Sequence, residues 1–142
     1  MPERRAEAEW DGNLRDGRGR LKLESGAFHG AYSFRDRFEE GPGTNPEELL
    51  GAAHAGCFTM ALAAGLTASG KPPGHIHTTA TVHLEREGEG FGITKIDLAT
   101  EASVPGITPA EFQAQALKAK TGCPVSKALA GSAITLTAKL IS

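Results

Sequence analysis

A chain of 142 residues is long enough to bury one core but not to divide comfortably into two domains, so 1–142 reads as a single domain. Its 15 Lys and Arg nearly balance 17 Asp and Glu, and a net charge of −2 gives no field that favours nucleic acid or an anionic membrane. No apolar run approaches the ~20 residues needed to span a bilayer, and two cysteines do not make a disulfide scaffold.

The segment from Met1 to Ala8 is charged and lacks an apolar h-region, so no signal peptide is expected. The expected compartment is then cytoplasmic and reducing, where a disulfide is transient and catalytic rather than structural.

Trp10 to Leu14 and Arg20 to Ser25, joined by Arg15-Asp16-Gly17-Arg18-Gly19, predict a β-hairpin with a Gly-rich turn. Ala31 to Glu39 reads as a further strand or edge segment, with Arg35 and Arg37 on one side by period two. Asn45-Pro46-Glu47-Glu48 is a helix start: Asn45 caps, Pro46 suits the first helical position and Glu48 stands where a capping-box carboxylate belongs. The helix runs to about Ala68 with little polar besides His54 and Thr59, and stops at Ser69-Gly70-Lys71-Pro72-Pro73-Gly74. Apolar on most faces, it is expected to be central and buried.

Two strands follow, His75 to Arg86 and Phe91 to Val104, around a Glu87-Gly88-Glu89-Gly90 turn. The second changes phase between Ile93 and Ile96, which predicts a bulge there. Thr108-Pro109-Ala110-Glu111 opens a helix with a full capping box, leading to Lys120, and Cys123-Pro124 begins a shorter one. Ile134, Leu136, Ala138 and Leu140 alternate in a closing strand. This order predicts an α+β fold, with helices packed on an antiparallel sheet.

The chemistry of the chain centres on its two thiols. Cys57 lies in Gly51-Ala52-Ala53-His54-Ala55-Gly56-Cys57-Phe58, where small residues allow another backbone to approach the sulfur. An apolar site raises a thiol pKa, so a reactive Cys57 needs a cation brought to it; otherwise it is a small buried hydrophobe. Cys123 stands at a helix N-cap before Pro124, where orphan N–H groups stabilise a thiolate, unless it merely replaces a capping Ser. Local physics leaves open which cysteine attacks first, and the helix terminus favours Cys123.

Arg35 or Arg37 could support a thiolate and bind a peroxide oxygen, although alternating charges on a solvated strand are the ordinary explanation. Glu47 and Glu48 suit a first helical turn electrostatically. Ten residues of straight helix place Glu47 ~15 Å from Cys57, so they meet only through a bridging arginine or in a site completed by another subunit. His54 lies one turn before Cys57 and could be a base or a ligand, although a hydrogen-bonded core histidine explains it as well. His75 and His77 share a strand face, but no third ligand is spaced to complete a metal site.

With these residues together, the chain resembles the OsmC/Ohr family of hydroperoxide reductases, and within it the osmotically inducible protein C branch. The resemblance rests on Arg37-Phe38-Glu39, Gly43-Thr44-Asn45-Pro46-Glu47-Glu48-Leu49, the Cys57 segment, Ile93-Thr94-Lys95-Ile96, Val104-Pro105-Gly106-Ile107 and Ala119-Lys120-Thr121-Gly122-Cys123-Pro124-Val125-Ser126, in order through the whole chain. It implies an intertwined homodimer around long central helices, with two sites at the subunit interface. It implies Cys57 as peroxidatic residue, Cys123 as resolving residue, and Arg37 and Glu47 as the family's arginine and glutamate. It further implies organic hydroperoxides as substrates, an external dithiol as reductant, and no metal or other cofactor. Two rival classes keep the same residues: a non-catalytic dimeric stress or binding protein with inert thiols, and a cysteine hydrolase using Cys57 and His54. The hydrolase lacks a visible oxyanion hole and orienting group.

Overall fold

Gly12, at φ 95°, ends the first strand earlier than the sequence pattern suggests. Asn13 then closes the turn, its side-chain oxygen accepting from the Asp16 amide and its carbonyl from the Gly17 amide. In the computed structural model, which describes residues 2–142, β1 therefore spans Ala6–Asp11 and β2 Arg18–Leu23. With β3 (His29–Tyr32) they form an antiparallel sheet in the order β1-β2-β3. This sheet belongs to the first of two compact units, Met1–Leu49 and Leu50–Ser142.

The segment expected to continue as a strand from Ala31 to Glu39 turns into a helix instead. α1 spans Phe34–Phe38, and the Ser33 hydroxyl accepts from the Asp36 amide as its N-cap. A capped turn outcompetes extension here because Ser33 and Asp36 satisfy each other locally, the hydroxyl also donating to the Asp36 carboxylate. Arg35 and Arg37 consequently do not share a strand face: Arg35 donates to the Glu40 carbonyl and Arg37 to Glu47.

α2 spans Pro46–Ala68 and starts as the sequence predicts, with the Glu48 amide donating to Asn45 Oδ1. The Glu48 carboxylate accepts from Thr44 rather than closing the capping box. By length and composition this helix is apolar enough to cross a bilayer, which corrects the expectation that no run approaches that length. Phe58, Leu62 and Leu66 of α2 are wholly buried among the core residues of the second unit, but only 28% of the apolar stretch is buried in the single chain, so α2 is not the helix buried on most faces that its composition predicts.

That unit is built on β4 (His75–Glu87) and β5 (Gly90–Ser103), an antiparallel pair. His83 pairs with Lys95 and Leu84 with Ile93, leaving Thr94 as the extra residue of the predicted bulge. Ile96, Leu98, Thr100 and Ala102 point inward from β5. Ile96, Leu98 and Ala102 pack in one core with α2 and with α3 (Pro109–Gly122), whose buried residues are Phe112, Ala116 and Ala119. The Thr108–Glu111 capping box is present on both sides. Truncating Phe112 or Leu62 to Ala would cost about 2–5 kcal/mol through lost contacts and a residual cavity.

The closing strand β6 (Ala133–Leu140) lies parallel to β5, so the second sheet is mixed and not antiparallel throughout. α3 and the short α4 (Pro124–Ala128) return the chain along the sheet after β5, so β6 re-enters in the same direction.

Candidate active site

α3 ends and α4 begins on one residue, Cys123, whose amide donates to the Ala119 carbonyl and whose carbonyl accepts from Lys127. Pro124 starts α4 as predicted, and the Cys123 side chain makes no cap bond of its own. The sulfur turns instead into the core, fully buried, and meets the half-buried Cys57 of α2. The two sulfurs lie 2.7 Å apart, little further than a covalent S–S bond of ~2.05 Å, and either can hold the proton between them.

Their surroundings are unequal. Burial pushes the Cys57 thiol up and Cys123 pushes it the same way, while the Val125 amide offsets part of this. Burial also opposes a Cys123 thiolate, but the Cys57 thiol and the polar groups of Ser126 and Val125 at the start of α4 outweigh it and hold Cys123 below its ordinary value. Within the second unit the easier thiolate is therefore Cys123.

His54 of α2 is fully buried, and its Nε2 lies 2.8 Å from Ser126 Oγ. Burial depresses its pKa, so the ring is neutral at neutral pH. Ser126 is the residue to which the motif reading assigned no role. The signal was there: three positions after a helix-capping cysteine, its hydroxyl can turn back to the sulfur.

The first unit holds the other pair. Asp36, buried in the first turn of α1, accepts from the Gly43 amide, and Asn45 Nδ2 donates to its backbone carbonyl. A Cβ at Gly43 would strike the Asp36 carboxylate and the Ala31 carbonyl, so only glycine lets the loop wrap this closely. The anchored loop delivers Glu47 to Arg37: Nε and one terminal nitrogen of the guanidinium each lie 2.9 Å from Glu47 Oε1. Arg37 also stacks over Phe38, its guanidinium carbon 5.4 Å from the ring centre. Among the described residues, two buried side-chain polar atoms have no hydrogen-bond partner, Glu47 Oε2 and His54 Nδ1.

Among the described residues no group of three or more His, Cys, Asp or Glu is placed to hold a metal ion. His83 of β4 bonds Asp97 of β5 at 2.8 Å.

Residues 39–139 match the family described as OsmC-like protein, a range that includes Glu47 and both cysteines and begins just after Arg37. The chain is 47% identical to Peroxiredoxin OsmC of Escherichia coli (strain K12), over 98% of this chain and 97% of that protein. It is 37% identical to an organic hydroperoxide resistance protein of Xanthomonas axonopodis pv. citri, over 68% of each chain. Its fold is similar to that of the organic hydroperoxide resistance protein OsmC from Legionella pneumophila, with a TM-score of 0.69, 25% identity and 96% of each chain covered. The chain belongs to the OsmC-like protein family.

Proposed function

We propose that this peroxidase-type enzyme reduces organic hydroperoxides, and hydrogen peroxide more weakly, through two cysteines in a homodimer, in defence against oxidative and osmotic stress. The Cys57 thiolate attacks the distal peroxide oxygen; the O–O bond breaks, Cys57 becomes sulfenic acid and the alkoxide takes a proton to leave as alcohol. Cys123 then attacks the Cys57 sulfur, the S–O bond breaks, and a Cys57–Cys123 disulfide forms with release of water. An external dithiol restores both thiols, which suits a reducing, cytoplasmic setting. The cycle asks nothing of a metal, haem or flavin.

The observation that carries this reading is the 2.7 Å approach of two sulfurs 66 residues apart in sequence. The names of the relatives support the substrate class, since they are a peroxiredoxin and organic hydroperoxide resistance proteins. The family match crosses both compact units, which supports one functional domain over 1–142.

Arg37 is the activating cation and Glu47 its orienting partner in this proposal. The raised pKa of Cys57 supports the need for such a cation. Ten residues of unbroken α2 keep Glu47 from reaching Cys57 directly, which favours an Arg37–Glu47 pair acting across the subunit interface. Ala52, Gly56, Met60 and Ala64 form an exposed stripe on α2 at helical spacing, a face that a second copy can cover.

The test is peroxide consumption by purified protein, with tert-butyl, fatty-acid and hydrogen peroxides and with mono- and dithiol reductants. Turnover with organic peroxides that Cys57→Ser abolishes is the expected result. Free thiols that persist through excess peroxide would instead support a non-catalytic binding protein.

A further inference from the structure

Thr59 interrupts the apolar run of α2 two residues after Cys57. A threonine inside a helix ordinarily returns its hydroxyl proton to the carbonyl one turn back. Thr59 donates instead to Thr78 Oγ1 of β4, at 2.8 Å. Thr78 Oγ1 lies 3.0 Å from Thr100 Oγ1 of β5, and the buried Thr100 donates to the His77 carbonyl at 3.2 Å. A carbonyl only accepts, so the chain has one direction. Each hydroxyl hydrogen points onward, from Thr59 to Thr78, from Thr78 to Thr100 and from Thr100 to His77.

We propose that Thr59, Thr78 and Thr100 are positioning residues for disulfide formation, their hydroxyl chain fixing the rotation of α2 and so the place of the Cys57 sulfur beside Cys123. The inference rests on the roles just assigned to the two cysteines.

Packing alone specifies that rotation weakly. Around Cys57 the helix carries Ala53, Ala55, Gly56 and Ala61, which are too small to interlock closely with a neighbour. Phe58, Leu62 and Leu66 hold α2 to the core, but apolar burial has no direction. A hydrogen bond does, and turning α2 would leave the part-buried Thr78 hydroxyl without its donor. At a Cα radius of ~2.3 Å, a turn of about 30° carries the Cα ~1.2 Å, and the sulfur further. A misplacement of ~1 Å can slow a reaction on the order of a hundredfold. The two sulfurs stand 2.7 Å apart, and a shift of that size takes Cys57 out of line.

The test measures the dithiol–disulfide equilibrium of the full chain in buffers of reduced and oxidised dithiothreitol, read by intact mass. In this exchange the Cys57–Cys123 bond breaks as the dithiothreitol disulfide closes, and two electrons and two protons pass to the protein. Thr59→Val keeps the side-chain shape and removes the donor. It should weaken the disulfide about tenfold in equilibrium constant, equivalent to ~30 mV. Thr59→Ser, which keeps the hydroxyl, should restore the parental constant. Thr78→Val, which cuts the chain in its middle, should match Thr59→Val and decides the matter if Thr59→Val does not fold. A parental constant in either valine variant, or no rescue by serine, would overturn the proposal.

In Cys123→Ser protein, Thr59→Val should leave the pH profile of Cys57 alkylation unchanged, since the chain places the sulfur and does not charge it. A shifted profile would assign Thr59 to activation and overturn the positioning role. With both cysteines present, one equivalent of tert-butyl hydroperoxide should leave a longer-lived, dimedone-trappable sulfenic acid on Cys57 in Thr59→Val. Disulfide closure at the parental rate would overturn the proposal as well. If the parent chain forms no Cys57 sulfenic acid, the catalytic roles fail instead, and the dithiothreitol equilibrium still decides whether the threonines place Cys57.

Discussion

Two nitrogens of Arg37 converge on a single oxygen of Glu47, each at 2.9 Å, while the other oxygen of that carboxylate stays buried without a partner. The pair therefore fixes the guanidinium and leaves three of its five N–H donors for other acceptors. Arg37→Ala should slow peroxide reduction by at least about tenfold and shift Cys57 alkylation to higher pH. Lysine should rescue only in part, since it keeps the charge and loses the planar fork. Glu47→Gln should be milder than Arg37→Ala, because it loosens the arginine without removing its charge. The measurement is Cys57 alkylation against pH in Cys123→Ser protein; an unchanged profile in Arg37→Ala would assign activation to another group.

Arg37→Ala should also cost stability, because it strands a buried carboxylate. The loss should be on the order of 1–2 kcal/mol in urea denaturation, below that of a fully buried pair because the Arg37 side chain is 41% exposed. Glu47→Gln should recover part of that loss in the Arg37→Ala background; no recovery would mean that the stranded charge is not the cause.

Oxidation should join Cys57 to Cys123 with little backbone movement, since their sulfurs already lie 2.7 Å apart. One equivalent of organic peroxide should lower the intact mass by two hydrogens, with the Cα atoms ~5–7 Å apart in the oxidised protein. Cys123→Ser should abolish that change and leave sulfenic acid on Cys57. Sulfenic acid on Cys123 in Cys57→Ser would reverse the roles.

Met60 is 76% exposed in the single chain, on a helix whose neighbouring exposed positions are also small or apolar. Sedimentation at low micromolar concentration should find a dimer, with an apolar interface above ~2,000 Å². Met60→Lys should weaken that dimer and lower activity with it. A monomer with full activity is incompatible with this arrangement.

Acid should destabilise the protein through His54. Burial holds its folded pKa below the ordinary 6.5, so the unfolded chain binds more protons as pH falls. Its contribution is complete above pH 6.5 and is lost as pH falls below that value toward the folded pKa. His54→Gln should therefore flatten the dependence of the melting temperature on pH between 6.5 and about 5, while losses from carboxylates begin lower. An unaltered slope in that interval would show that His54 does not carry it.

The chain by itself determined whatever is settled within a few neighbouring residues. The Asn45 and Thr108 helix starts, the Thr94 bulge and the place of Cys123 before α4 all follow from local capping and alternation. The ordered motifs around the two cysteines were also enough to identify the family. The same local logic holds the clue that Ser33 and Asp36 start a helix, where period two was read instead. Only the tertiary structure decided the rest. β6 runs parallel to β5 because of where α3 and α4 return the chain, and alternation along a strand carries no direction. Cys57 meets Cys123 across 66 residues and His54 meets Ser126 across 72. Those contacts exist because apolar faces of α2, β5 and α3 exclude water together, and packing of faces depends on the whole core rather than on any one segment.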